Sequence, residues 1–197
     1  MRKLALAGAL ALAGLSTGCL GGGRAEPEYF TLSPSAASSA PVAAKPELGL
    51  VLGQVELPRY LDRAELVTRD GPVRLQVWGG ARWGGSLRSD VQRVVADDLG
   101  RLLGTARVVV YPSEPRFVVG YRIALELIEF GGPRSGPVTL RARWTVAGGL
   151  DGRALAVGET SVEETPASPG WDAWVGAHSA ALGTVTREIA ERIASLP

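Results

Sequence analysis

SLRSDVQRVVADDLGRLLG, residues 86 to 104, decides the architecture. Leu87, Val91, Val94, Val95, Leu99, Leu102 and Leu103 recur at three- and four-residue spacing, with Arg88, Gln92, Arg93 and Asp97 on the opposite side. Apolar residues at that period share one face of an α-helix, and Gly104 follows as a C-terminal stop. Such a stripe needs an apolar surface to cover, and the flanking sequence is rich in strands. The spacing predicts an amphipathic helix laid on a sheet.

Working outward from the helix, Leu48 to Val55 and Glu65 to Arg69 read as strands on its N-terminal side, as does Val73 to Val77. Asp70-Gly71 joins the last two as a hairpin, because both residues tolerate the backbone angles of a tight turn. On the C-terminal side, Val108 to Tyr111, Phe117 to Phe130 and Val138 to Val146 read as further strands. In the last of these Val138, Leu140, Ala142, Trp144 and Val146 alternate with Thr139, Arg141, Arg143 and Thr145, so one face is buried and the other wet. Gly148-Gly149 and Asp151-Gly152 mark turns before a strand at Ala154 to Glu163. Trp171 to Ser195 carries Trp174, Val175, His178, Leu182, Val185, Ile189 and Ile193 as a second helical stripe. Only the helix after Val77 is long enough to join parallel strands. The expected fold is α+β: a mostly antiparallel or mixed β-sheet with two main amphipathic helices packed on one face.

The N-terminal region reads differently. Arg2 and Lys3 precede an apolar run from Leu4 to Leu15, the order of a secretory signal. At about 12 residues the run is well short of the roughly 20 that span a bilayer as a helix. Leu15-Ser16-Thr17-Gly18 leads into Cys19, the single cysteine, and resembles the lipobox cut by the lipoprotein signal peptidase. On that pattern residues 1–18 are removed, and Cys19 carries diacylglycerol on its thiol and a further acyl chain on its freed amine. Two or three chains hold a protein on a membrane durably, where one does not. Residues 19–46 hold the lipidated Cys and a flexible Gly/Ala/Ser/Pro tether, within which residues 29–32 form a β-prone island suited to a short edge strand. Residues 47–197 form one α+β domain.

Several chemistries lack their residues. Removing residues 1–18 leaves 19 basic against 20 acidic side chains, with Lys45 the one lysine, so no polybasic footprint for nucleic acid is expected. His178 is the single histidine and cannot build an imidazole metal site within one chain. Ser86 sits in Gly84-Gly85-Ser86-Leu87-Arg88, which lacks the second glycine of a nucleophile elbow. Neither a phosphate-cradling loop with a following lysine nor any other catalytic constellation is present, so the chain is expected not to be an enzyme and to need no cofactor beyond its acyl chains. The Asp97-Asp98 and Glu163-Glu164 pairs are adjacent, diverge in a helix and oppose in a strand, and read as solvated charge.

Pro58-Arg59-Tyr60-Leu61-Asp62-Arg63 is open to two readings. In one, Pro58 ends a strand, Tyr60 and Leu61 pack beneath the sheet, and Asp62 pairs with an arginine to lock the turn. In the other, Arg59, Tyr60, Leu61, Asp62 and Arg63, with Trp83, present binding anchors to a partner. Trp83, Trp171 and Trp174 fit core or cover near helix starts as readily as an interface.

The run Val55 to Arg63, with Leu66-Val67-Thr68-Arg69 behind it, resembles the ABC-type transport auxiliary lipoprotein family of the paraquat-inducible protein C type. Tyr29-Phe30-Thr31-Leu32 is similar to that family's opening Tyr-Tyr-x-Leu element, and Arg82-Trp83 followed by Leu87 to its Trp-to-Leu passage. The resemblance implies a non-enzymatic envelope component beside an ABC transporter and a mammalian-cell-entry (MCE) domain protein, in systems that move lipid between two membranes and keep the envelope intact. Leu20 stands where an Asp would signal retention at the inner membrane, which by the family rule points to the outer membrane with the domain facing the periplasm. Self-association is left open, and so is a second role as a periplasmic lipid carrier with an apolar groove between sheet and helices.

Overall fold

The computed structural model describes residues 26–35 and 40–197; the signal over residues 1–18 and Cys19 lie outside them. The described elements are β1 (Glu28–Phe30), β2 (Leu50–Glu56), β3 (Glu65–Asp70), β4 (Arg74–Trp83), α1 (Leu87–Leu103), β5 (Val108–Val110), β6 (Tyr121–Gly131), β7 (Val138–Gly148), β8 (Ala154–Glu164) and α2 (Trp171–Ala194). The α+β class holds, with mixed strand pairing. The strands divide between two sheets: five in the order β5-β2-β6-β7-β8 and three in the order β1-β4-β3.

Parallel pairing is confined to the places where the chain crosses over. β2 runs parallel to both β5 and β6, and α1 lies between β2 and β5 in the chain, as a parallel connection requires. β6, β7 and β8 form an antiparallel meander. The β3–β4 hairpin leaves the larger sheet after Pro58, which has no N–H to continue a ladder, and a 3-10 turn at Arg59–Leu61. Asp70 pairs with Arg74, so the hairpin loop is Gly71-Pro72-Val73, one residue longer than a two-residue turn, with Gly71 at φ 71°.

Both helices cover one face of the larger sheet. Val91, Val94, Val95 and Leu99 of α1, Val185 and Ile189 of α2, and Leu50, Leu52, Leu140 and Ala142 of the sheet are all fully buried. At about 1.5–3 kcal/mol for each large aliphatic side chain, this layer is the main stabilising term. It also fills the space between sheet and helices that a lipid carrier's apolar groove would need. Ser86 caps α1 by accepting a bond from the Ser89 N–H, and Gly104 ends it in the left-handed conformation at φ 62°. β7 buries Val138, Leu140, Ala142, Trp144 and Val146 as its alternation predicts. On its wet face Arg143 bridges Glu126 (3.1 Å) and Glu159 (3.3 Å) on the neighbouring strands.

Candidate functional site

The segment expected to be a free tether is, over its described residues, fastened to the domain. β1 adds in parallel to β4, pairing Glu28 with Ala81 and Phe30 with Trp83. Leu32 then drops into the core, 1% exposed. The Asp90 carboxylate, in the first turn of α1, accepts the Leu32 N–H (2.6 Å) and the Thr31 hydroxyl (2.9 Å), while Arg93 donates to the Leu32 carbonyl (2.6 Å). The Ser33 N–H reaches the Ser179 hydroxyl of α2 (3.1 Å), and the Ser35 N–H reaches Asp98 of α1 (3.2 Å).

Where the description resumes, Arg187 of α2 donates to the Ala40 carbonyl (3.0 Å). Val42 and Ala43 donate to the Leu102 carbonyl and Lys45 to that of Leu103, satisfying groups that the end of α1 leaves open. The Lys45 ammonium donates to the Leu196 carbonyl beyond the end of α2 (3.3 Å), where a cation is favoured. Residues 26–35 and 40–46 therefore bind both helices and act as a strap. Composition could not show this, because Ser, Pro and Ala residues bury little surface and bind here through backbone groups.

Two polar residues of α1 are corrected by the strap and the sheet. Asp98, expected to be solvated beside Asp97, is 0% exposed and receives the Ser35 N–H. Asp97 is exposed and pairs with Arg101. Gln92, placed on the polar side by its spacing, is buried and donates to the Gly53 carbonyl (3.1 Å).

The Pro58–Arg63 run divides between its two readings. Leu61 is 4% exposed and Trp83 5%, so neither is presented to a partner. Tyr60 is half-buried; its hydroxyl accepts from Arg69 (3.3 Å), whose guanidinium also lies 5.6 Å from the ring centroid. Asp62 pairs with Arg88 (3.3 Å), and Arg88 also donates to the Val55 carbonyl, which ties the turn to α1. Arg63 pairs with Glu65 (3.2 Å). A backbone hydrogen bond first, and then Arg63, hold the Glu65 carboxyl below its ordinary value. Arg59, Asp62 and Arg63 remain exposed along the rim.

A sequence model of the ABC-type transport auxiliary lipoprotein component matches residues 30–190. The chain belongs to that family. No curated protein matches it. Among solved structures, an uncharacterised protein is 17% identical at a TM-score of 0.70, over 85% of this chain and 99% of its own. A Xanthomonas campestris protein of family DUF330 is 19% identical at a TM-score of 0.66, over 84% of this chain and 94% of its own. At those identities the likeness is one of fold.

In this auxiliary lipoprotein the match begins at Phe30, inside β1, so the strap from Phe30 onward lies within the matched length. Among the described residues no helix is long and apolar enough to cross a membrane. His178 is 1% exposed among the rings of Trp83, Phe130 and Trp174. Burial lowers its pKa to about 4, against a smaller opposing effect of its Nδ1 contact with the Trp174 carbonyl. It is a neutral packing residue at neutral pH.

Proposed function

We propose that this protein is an outer-membrane lipoprotein, held by diacylglycerol and an N-acyl chain on Cys19, that serves an ABC transporter and MCE-domain system moving lipid between membranes. It acts by tethering and docking a periplasmic partner rather than by catalysis. One observation carries the reading: residues 32–35, on the N-terminal side of the domain, are bonded to α1 and α2. The domain is thereby held close to the acyl anchor, because the strap leaves only the residues before Glu26 between them.

The docking surface proposed is the exposed rim of Arg59, Asp62 and Arg63 with the half-buried Tyr60; Leu61 and Trp83 support it from below. Charged rim residues steer and orient a partner. The test is co-purification of the anchored protein from native membranes with identification of what is retained. Replacing Arg59 and Asp62 by alanine should lose the MCE-domain partner at an unchanged melting temperature, since an exposed ion pair such as Asp62–Arg88 contributes only about 0–1 kcal/mol. Undiminished recovery would remove this rim from the interface.

A further inference from the structure

The described chain begins at Glu26, seven residues after Cys19. An extended chain covers at most about 3.5 Å per residue, so acyl chains on Cys19 would hold Glu26 within about 25 Å of the bilayer. Because β1 and Leu32 fix the strap, the domain surface beside Glu26 to Phe30 is the described part nearest that anchor along the chain.

That surface is aromatic. Tyr29 is 64% exposed. Phe30 lies 6.5 Å from Trp171, whose ring meets Trp78 edge-on at 5.3 Å. The exposed Arg134 places its guanidinium 4.7 Å from the Trp78 centroid and 4.6 Å from that of Trp171. Both indoles are half-buried. Trp78 donates to the Thr68 hydroxyl (2.9 Å), whereas the Trp171 indole N–H has no hydrogen-bond partner among the described residues.

Resting on the Cys19 anchor proposed above, we infer that Tyr29, Trp78, Arg134 and Trp171 form a contact surface for the headgroup layer of the membrane that holds the acyl chains. Trp and Tyr rings have an apolar body and a polar tip, which suits them to that depth. Arg134 covers the rings with its own stem while its charge reaches phosphate. Charges of both signs flank the patch: Glu28 on β1, Arg82 opposite Tyr29 on β4, Asp172 next to Trp171, and Arg134 itself. Without the excess of positive charge of a polybasic patch, contact should depend little on anionic lipid or on salt.

The experiment uses the full acylated protein in phosphatidylethanolamine and phosphatidylcholine vesicles, with acyl chains brominated near the headgroup as fluorescence quenchers. Two of the five tryptophans lie in the patch, so up to two-fifths of the emission should be lost relative to unbrominated vesicles. The loss should fall to at most one-quarter of the emission in Trp171→Phe and be reduced in Arg134→Glu, which keeps every indole and perturbs only an exposed side chain. Protein that floats with the vesicles yet keeps its full emission overturns the contact surface and leaves the anchor standing. Protein that does not float overturns the anchor, and this inference with it.

Discussion

Replacing Leu32 and Asp90 together by alanine should detach the strap while leaving the two-helix, two-sheet body folded. Leu32 is fully buried, and truncating such a leucine costs about 2–5 kcal/mol. The Asp90 carboxylate accepts the Leu32 N–H and the Thr31 hydroxyl, and a hydrogen bond to a charged group contributes about 1.5–3 kcal/mol. The combined loss is on the order of 4–8 kcal/mol, and release of the strap is further favoured by the backbone entropy its residues regain. Residues 26–35 should come away, leaving the chain next fastened at Ala40, whose carbonyl accepts from Arg187. From Cys19 to Ala40 is 21 residues, up to about 75 Å extended, compared with about 25 Å while the strap is docked. Amide hydrogen exchange reads the result directly. The N–H groups of Leu32, Ser33 and Ser35, now bonded to Asp90, Ser179 and Asp98, should lose protection while those of β6, β7 and β8 keep theirs. Unaltered protection of residues 32–35 would refute a strap held by these contacts; loss of protection throughout the sheet would show that strap and body do not separate.

Three other substitutions test the packing. Gly183 faces the strap, and a Cβ there would lie 1.6 Å from the Ser35 Oγ and 3.0 Å from its Cβ, so Gly183→Leu should raise amide exchange at Ser35 without lowering helix content by circular dichroism. Gly158 lies beneath the Trp144 ring, where a Cβ would meet Cζ2 at 2.2 Å; Gly158→Ala should cost about 1–3 kcal/mol in urea unfolding. His178 is lowered to about 4 in the folded state, from an ordinary 6.5, so its contribution is complete above pH 6.5 and is lost as the unfolded chain takes up its proton between pH 6.5 and 4. Between pH 7.5 and 4.5 the native protein should lose about 2–3 kcal/mol more than His178→Phe, and equal losses would place His178 outside the acid response.

The parts of this fold that were legible in the sequence are those whose partners lie on one repeating face. α1, α2 and β7 announced themselves by period, and Ser86 and Gly104 bracket α1 by capping chemistry that is local to the chain. Gln92 and Asp98 defeated the same reading because their partners, the Gly53 carbonyl and the Ser35 N–H, come from distant backbone that no spacing reveals. The strap was hidden for a related reason: its hold depends on side chains of α1 and α2, and only Leu32, in the β-prone island, signalled burial. Leu61 and Trp83 follow the packing reading of their runs rather than the interface reading, and both are buried in the core. The separation of β1, β4 and β3 into their own sheet depends on the turn after Pro58, which ends pairing with β2 without indicating where the next strand goes.

The account stands most directly on the mass of the mature N-terminal peptide taken from native membranes. It should begin at Cys19 and carry diacylglycerol on sulfur with a further acyl chain on the amine. A peptide that starts elsewhere, with the Cys19 thiol unmodified, would contradict it.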